Sequence, residues 1–114
     1  MKLYYDLHIH SALSPCGDAD MTPNNIVNMS RLKGLDIIAL SDHNSVLNLP
    51  AVLEAARETD LLVVPGMEVE SAEEVHILCL FPNLEAAQKV GEEVYHKLNK
   101  IPNRAEIFGE QTVM

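Results

Sequence analysis

The sequence predicts an α/β fold with a mainly parallel sheet, and three observations carry that prediction. Residues 35–40 and 61–64 are short apolar runs without polar alternation, as strands covered on both faces are. Between and after them lie segments whose apolar residues recur at helical spacing, two of them opened by a proline. The resulting order is strand, helix, strand, helix, strand, strand, helix, which alternates in the manner of α/β proteins.

Taken in order, residues 3–10 read as a buried strand, and the loop 11–20 is rich in small, turn-forming residues. Thr22-Pro23 opens a helix expected to reach Leu32 or Lys33, with Ile26, Met29 and Leu32 buried and Gly34 as its stop. Residues 35–40 form the second strand and lead into Ser41-Asp42-His43-Asn44. A second helix is expected over 49–59, with Pro50 in its first turn and Val52, Leu53 and Ala56 on its packing face. The third strand covers 61–64, and Pro65-Gly66-Met67-Glu68-Val69-Glu70 follows at its carboxyl end. Residues 75–81 form the fourth. Leu84, Ala87, Gly91, Val94, Leu98 and Ile101 then recur at steps of three and four, marking an amphipathic helix. Residues 102–114 carry no period and are expected to be a flexible tail or one side of an incomplete hairpin.

The 114 residues fit one domain, and with no Trp its core must be aliphatic. Eight Lys and Arg against seventeen Asp and Glu give a net charge of -9, which repels phosphate backbones unless metals or a local basic patch intervene. This argues against free-standing nucleic-acid binding. Two cysteines and no signal-peptide pattern suggest a reducing cytoplasm, and no apolar run is long enough for a membrane.

Strand alternation puts Asp6, His8 and His10 on one side and Leu7 and Ile9 on the other. Two imidazoles at one strand end suit a single divalent ion. His43, Glu68 and Glu70 fall at or just beyond other strand ends, where α/β ligand sites gather, and His76 lies on the fourth strand. Imidazoles with a carboxylate make a ligand set for two adjacent ions, Glu68 being the best bridge. Such ions, about 3.5–4 Å apart, lower the pKa of a bound water and hold both oxygens of a displacement at phosphorus. No side-chain nucleophile is then needed. None is evident, since Ser11 and Ser14 lack a paired His and acid in any familiar order, and Cys16-Gly17 is not a phosphatase-type loop. Asp42 is expected to orient an imidazole, and Asp6 to do the same or to serve structure. Cys79 reads as structural, His96 and Glu73-Glu74 as solvated, and Glu70 stays open.

These motifs resemble the polymerase and histidinol phosphatase (PHP) superfamily over residues 4 to about 111. Tyr5-Asp6-Leu7-His8-Ile9-His10-Ser11 is similar to its first motif, Ser41-Asp42-His43-Asn44 to its second, and Gly66-Met67-Glu68 with His76 to later elements. The resemblance implies part of a distorted, seven-stranded β/α barrel, with about four strands present, and two or three divalent metals of the zinc, manganese or iron kind. It implies His8, His10 and Glu68 at a first metal, Glu68 bridging to a second that His76 also binds, and His43 at a third. Cys16 falls where a loop ligand of the third is expected, with Asp18 as the fallback. Glu68 and His43 are thereby also the residues closest to catalysis.

The implied activity is hydrolysis of phosphate esters by metal-activated water, on a phosphorylated small molecule or nucleotide. The family draws further His and Asp ligands from a second half, whereas this sequence stops at Met114 with four strands. That leaves a shortened polypeptide, or a second copy or partner chain that completes the barrel. Two rival readings remain: a non-catalytic, assembly-dependent metal-binding half-barrel, and a module that trims nucleic-acid ends.

Overall fold

The computed structural model describes residues 1–98, 104–108 and 110–114, the side chain of Phe108 excepted. Four strands, β1 (Tyr5–Ile9), β2 (Ile37–Leu40), β3 (Leu62–Glu70) and β4 (His76–Leu80), form one sheet in the order β1-β2-β3-β4. The helices are α1 (Pro23–Leu32), α2 (Leu49–Ala56), α3 (Leu84–Lys97) and the short α4 (Ala105–Phe108). The first three strands run parallel and β4 returns antiparallel against β3. This curled, mixed sheet with its helices is a partial α/β barrel.

Thr22 caps α1 by accepting a hydrogen bond from Asn25 N–H, with Pro23 in the first turn. The chain leaves it through Lys33 and Gly34, which has a φ of +76°. The buried residues of α1 are Pro23, Ile26, Val27 and Ser30. At about 100° per residue, that stripe puts Leu32 on the opposite side and Met29 roughly 120° away. Met29 is accordingly 52% exposed and Leu32 81%, against expectation. Helix α2 stops at Ala56, earlier than expected, because Thr59 turns back and gives both its N–H and its hydroxyl to the Ala56 carbonyl.

The third strand departs most from expectation. Residues 65–70 are not a loop beyond β3 but its continuation, pairing with β2 up to Pro65 and with β4 from Gly66 onward. Proline is tolerated there because β2 ends as β4 begins. Gly66 sits where neighbouring backbones close in: a Cβ would lie 2.7 Å from Ser41 Oγ and 2.9 Å from the Leu40 carbonyl oxygen. Within 102–114, expected to be a flexible tail or one side of an incomplete hairpin, the described residues include the short α4, and Ile101 lies outside the described residues.

The aliphatic core lies between sheet and helices. Ile38, Leu40, Val63 and Met67 from the strands meet Ile26, Val27, Leu49, Val52, Ala56 and Ala87 from the helices. Burial of such side chains contributes roughly 1.5–3 kcal/mol each. The other face of the sheet is open in part: Leu62 is 56% exposed there, whereas Ala39 is buried. Met67 points into the core, so alternation along β3 sends Glu68 and Glu70 to that open face. No described helix is long and apolar enough to cross a membrane.

Candidate metal centre

The centre is assembled around Glu68. Antiparallel pairing places Glu70 opposite His76, which carries the His76 ring toward the Glu68 carboxylate two residues away. His43 arrives by another device. Beyond the end of β2 the chain keeps its parallel course, with Glu68 N–H donating to the Asp42 carbonyl and Asn44 N–H to the Glu68 carbonyl. Asn44 holds this bend in the left-handed region (φ 51°), and its side chain accepts from Glu70 N–H. His8 and His10 come from the end of β1.

Four imidazoles thus surround one carboxylate. His8 Nε2 lies 3.2 Å from Glu68 Oε1 and His76 Nδ1 3.4 Å from the same oxygen, while His10 Nε2 and His43 Nδ1 each lie 3.2 Å from Oε2. Charge-assisted hydrogen bonds of this kind are usually about 2.7–2.9 Å. Two atoms each about 2.1 Å from a common ion, at angles of 90–110°, stand about 3.0–3.4 Å apart. All four separations match the second spacing. Glu68 Oε2 is moreover buried without a hydrogen-bond partner among the described residues, an expensive condition for a carboxylate oxygen.

Beneath the rings lies a polar network. Asp42, 2% exposed, accepts from Ser11 N–H at 2.7 Å, from Ser11 Oγ at 2.6 Å and from Ser14 Oγ at 2.8 Å. Ser14 has therefore spent its proton. Its oxygen is left to accept from His43 N–H at 3.1 Å and from His10 Nδ1 at 3.2 Å. That assigns the proton of neutral His10 to Nδ1 and leaves a lone pair on Nε2 facing Glu68 Oε2. Two lone pairs so opposed call for a cation between them. Asp42 thus reaches an imidazole through Ser14 rather than directly. Asn48 extends the network, donating to Ser11 Oγ at 3.0 Å and to the Thr112 carbonyl at 3.0 Å, and accepting from Met114 N–H at 2.7 Å.

Burial, then the nearby His43, lowers the His10 pKa against the raising pull of Glu68, which favours a neutral ring. For Glu68, burial pushes upward, but the hydrogen bond to His8 and the charges of His43, His8 and His10 outweigh it and keep the carboxyl below its usual range.

Three groups have metal-ligand composition among the described residues: His8, His10 and Glu68; His43, Glu68 and His76; and His10, Cys16 and His43. Asp18 joins none of them, and its carboxylate instead accepts from Asp20 N–H. Asp6 is likewise absent from the cluster. The β1-β2 ladder slips between Asp6 and Ile9, so strict alternation does not carry from Asp6 to the histidines, and Asp6 accepts from the His8 backbone N–H. Glu70 stands 3.8 Å from His76 Nε2, Cys79 gives its thiol to the Ile77 carbonyl, and His96 is exposed beside Tyr95. Sequence reasoning missed Ser14 and Asn48, whose importance rests on burial. An open groove of about 850 Å³ borders the centre, lined by Cys16, His43, Glu70, His76 and Tyr95 among others and, among the described residues, by no Lys or Arg.

A partial α/β barrel that gathers imidazoles around a shared carboxylate at its strand ends has the donor set of a divalent-metal site. The PHP domain family matches residues 6–108, and the chain belongs to that family. It is similar to a 5'-3' exoribonuclease of Haemophilus influenzae, 30% identical over 83 residues that make up 70% of this chain and 29% of the relative. Among solved structures it is similar to a candidate metal-dependent phosphoesterase of Bifidobacterium adolescentis, with TM-score 0.61 and 26% identity over 82% of this chain and 33% of the other. It is also similar to an amidohydrolase of Chromobacterium violaceum solved with bound sulfate and no metal, with TM-score 0.61 and 28% identity over 78% of this chain and 32% of that one. The chain therefore spans about a third of the length of these proteins.

Proposed function

We propose that this chain carries the metal-gathering part of a phosphoesterase that hydrolyses phosphate esters of small molecules or nucleotides. The carrying observation is the buried, unpartnered Glu68 Oε2 with two imidazole nitrogens 3.2 Å away. The donor set fits divalent zinc, manganese or iron, all of which accept imidazole and carboxylate. His8, His10 and Glu68 would hold one ion and Glu68 with His76 a second, with His43 and Cys16 toward a third. A bound ion of this kind supplies an activated water and neutralises charge on phosphoryl oxygens.

The protein's own residues prepare that chemistry. Ser14 and Asp42 fix the His10 ring and its tautomer, and Glu68 compensates the cations. Among the described residues no Lys or Arg lines the groove, so a phosphate there would draw its positive charge from the metals. Cleavage of p-nitrophenyl phosphate and of bis-p-nitrophenyl phosphate, after loading with manganese or zinc, tests the reading and separates monoesterase from diesterase. Failure to retain any divalent metal would defeat it.

One observation favours a second reading, the trimming of nucleic-acid ends: the similarity to a protein named as a 5'-3' exoribonuclease. The net charge of -9 weighs against it. Release of nucleotides from a 5'-phosphorylated RNA with manganese would support it, and intact RNA would remove it. Assembly with a second copy or partner chain fits the sheet edges that β1 and β4 leave unpaired among the described residues, and light scattering across concentration tests the self-assembling form.

A further inference from the structure

We infer that Cys16 makes one position of this centre selective for a thiophilic ion such as zinc over manganese or magnesium, an inference that rests on the metal-binding reading above. The Cys16 sulfur and one ring nitrogen each of His10 and His43 lie within 4.8 Å of one another. Those two imidazoles flank Glu68 Oε2, which is buried without a hydrogen-bond partner among the described residues, so the thiol borders the strongest sign of cation binding.

The loop is held there by contacts unrelated to the thiol. Ser14 N–H donates to the Ser11 carbonyl at 3.1 Å and Gly17 N–H to the Ser14 carbonyl at 2.8 Å, while Ser14 Oγ is tied to Asp42. Gly17 admits no side chain, because a Cβ would collide with the Ser11 carbonyl oxygen. Cys16 itself is exposed toward the groove, so its position serves no packing need.

The three groups overlap, and that overlap assigns the thiol its place. Each imidazole presents one nitrogen to an ion, and His10 Nδ1 is already engaged by Ser14. His10 therefore serves the ion it shares with His8 and Glu68, or the one beside Cys16, but not both. With His10 committed to the first, Cys16 is left on the groove side beside His43, whose Nδ1 lies 3.2 Å from Glu68 Oε2, so the thiol would share its ion with His43 and Glu68. Thiolate is a soft donor, well matched to zinc and poorly matched to manganese or magnesium, which prefer oxygen.

The test uses the chain with Cys79 as an internal reference thiol, since it lies on β4 with its sulfur on the Ile77 carbonyl. Zinc and manganese binding are first measured by equilibrium dialysis, and alkylation of each cysteine by iodoacetamide is then followed by mass spectrometry. Zinc is expected to slow Cys16 alkylation by about tenfold or more, manganese to leave it unchanged, and neither to alter Cys79. Cobalt loading should give a thiolate-to-metal absorption band that Cys16→Ser abolishes. Cys16→Asp should shift preference from zinc toward manganese by about tenfold. If the chain binds zinc yet Cys16 is alkylated as fast as without it, the thiolate inference falls and the histidine-glutamate centre stands. If it binds no metal at all, both fall.

Discussion

Replacing Asp42 by Ala probes the support under the metal centre, and its cost can be worked from contacts. The carboxylate accepts three hydrogen bonds, from Ser11 N–H, Ser11 Oγ and Ser14 Oγ, at 2.7, 2.6 and 2.8 Å, and it is 2% exposed. Truncation strands those donors in a site without water access, at about 1–3 kcal/mol each. The hydroxyls can turn to other acceptors, but the Ser11 N–H cannot, so a loss of about 3–5 kcal/mol is expected. Against a typical margin of about 5–15 kcal/mol, that removes a large share of stability. Asp42→Asn keeps an acceptor for the backbone N–H and should lose only about 1–2 kcal/mol. The assay is urea unfolding of the metal-free protein, read by circular dichroism. An Asp42→Ala midpoint equivalent to less than about 0.5 kcal/mol of change would refute the reasoning, since that is the range of an ordinary surface substitution.

Three further outcomes are expected. Ser14→Ala removes the hydroxyl that fixes the His10 tautomer and should weaken metal affinity by about 10–100-fold in calorimetric titration; unchanged affinity would deny Ser14 that role. Gly66→Ala forces a Cβ to 2.9 Å from the Leu40 carbonyl oxygen and should cost about 1–3 kcal/mol in the same unfolding assay, whereas a neutral result would mean the strands part easily. Metal-free stability should fall with acid in two windows. Folded His10 resists a proton that the unfolded chain accepts, so stability drops as pH falls below 6.5, and Glu68, held below 4.5, adds a loss beneath that value. A urea midpoint that rises on acidification would contradict both.

How much of this was legible in the sequence depended on whether a residue's role is local. Thr22-Pro23 and Gly34 mark the bounds of α1 because caps and prolines act on their own backbone. The face of α1 was less legible: Met29 and Leu32 are apolar, but which stripe is buried is decided by the neighbour, not the helix. The continuation of β3 through Pro65 and Gly66 was hidden for a similar reason. Those residues ordinarily end strands, and only the handover from β2 to β4 lets this strand pass.

The candidate site divides along the same line. His8, His10, His43, Glu68 and His76 could be nominated from residue type and position at strand ends, and the structure gathers all five. Asp6 was assigned to their face by an alternation that a slip in the ladder breaks. Ser14 and Asn48 were invisible as functional residues because their burial and partners, 28 and 37 residues away in Asp42 and Ser11, exist only in three dimensions.

The central claim is that the Glu68 carboxylate and the imidazoles around it hold divalent cations. Metal content after equilibrium dialysis against zinc or manganese, measured on the native chain and on Glu68→Gln, tests it most directly. The native chain should retain at least one equivalent, and the variant, having lost the shared charge and one strong donor, should retain far less while staying folded. Equal retention by a folded Glu68→Gln would contradict the account.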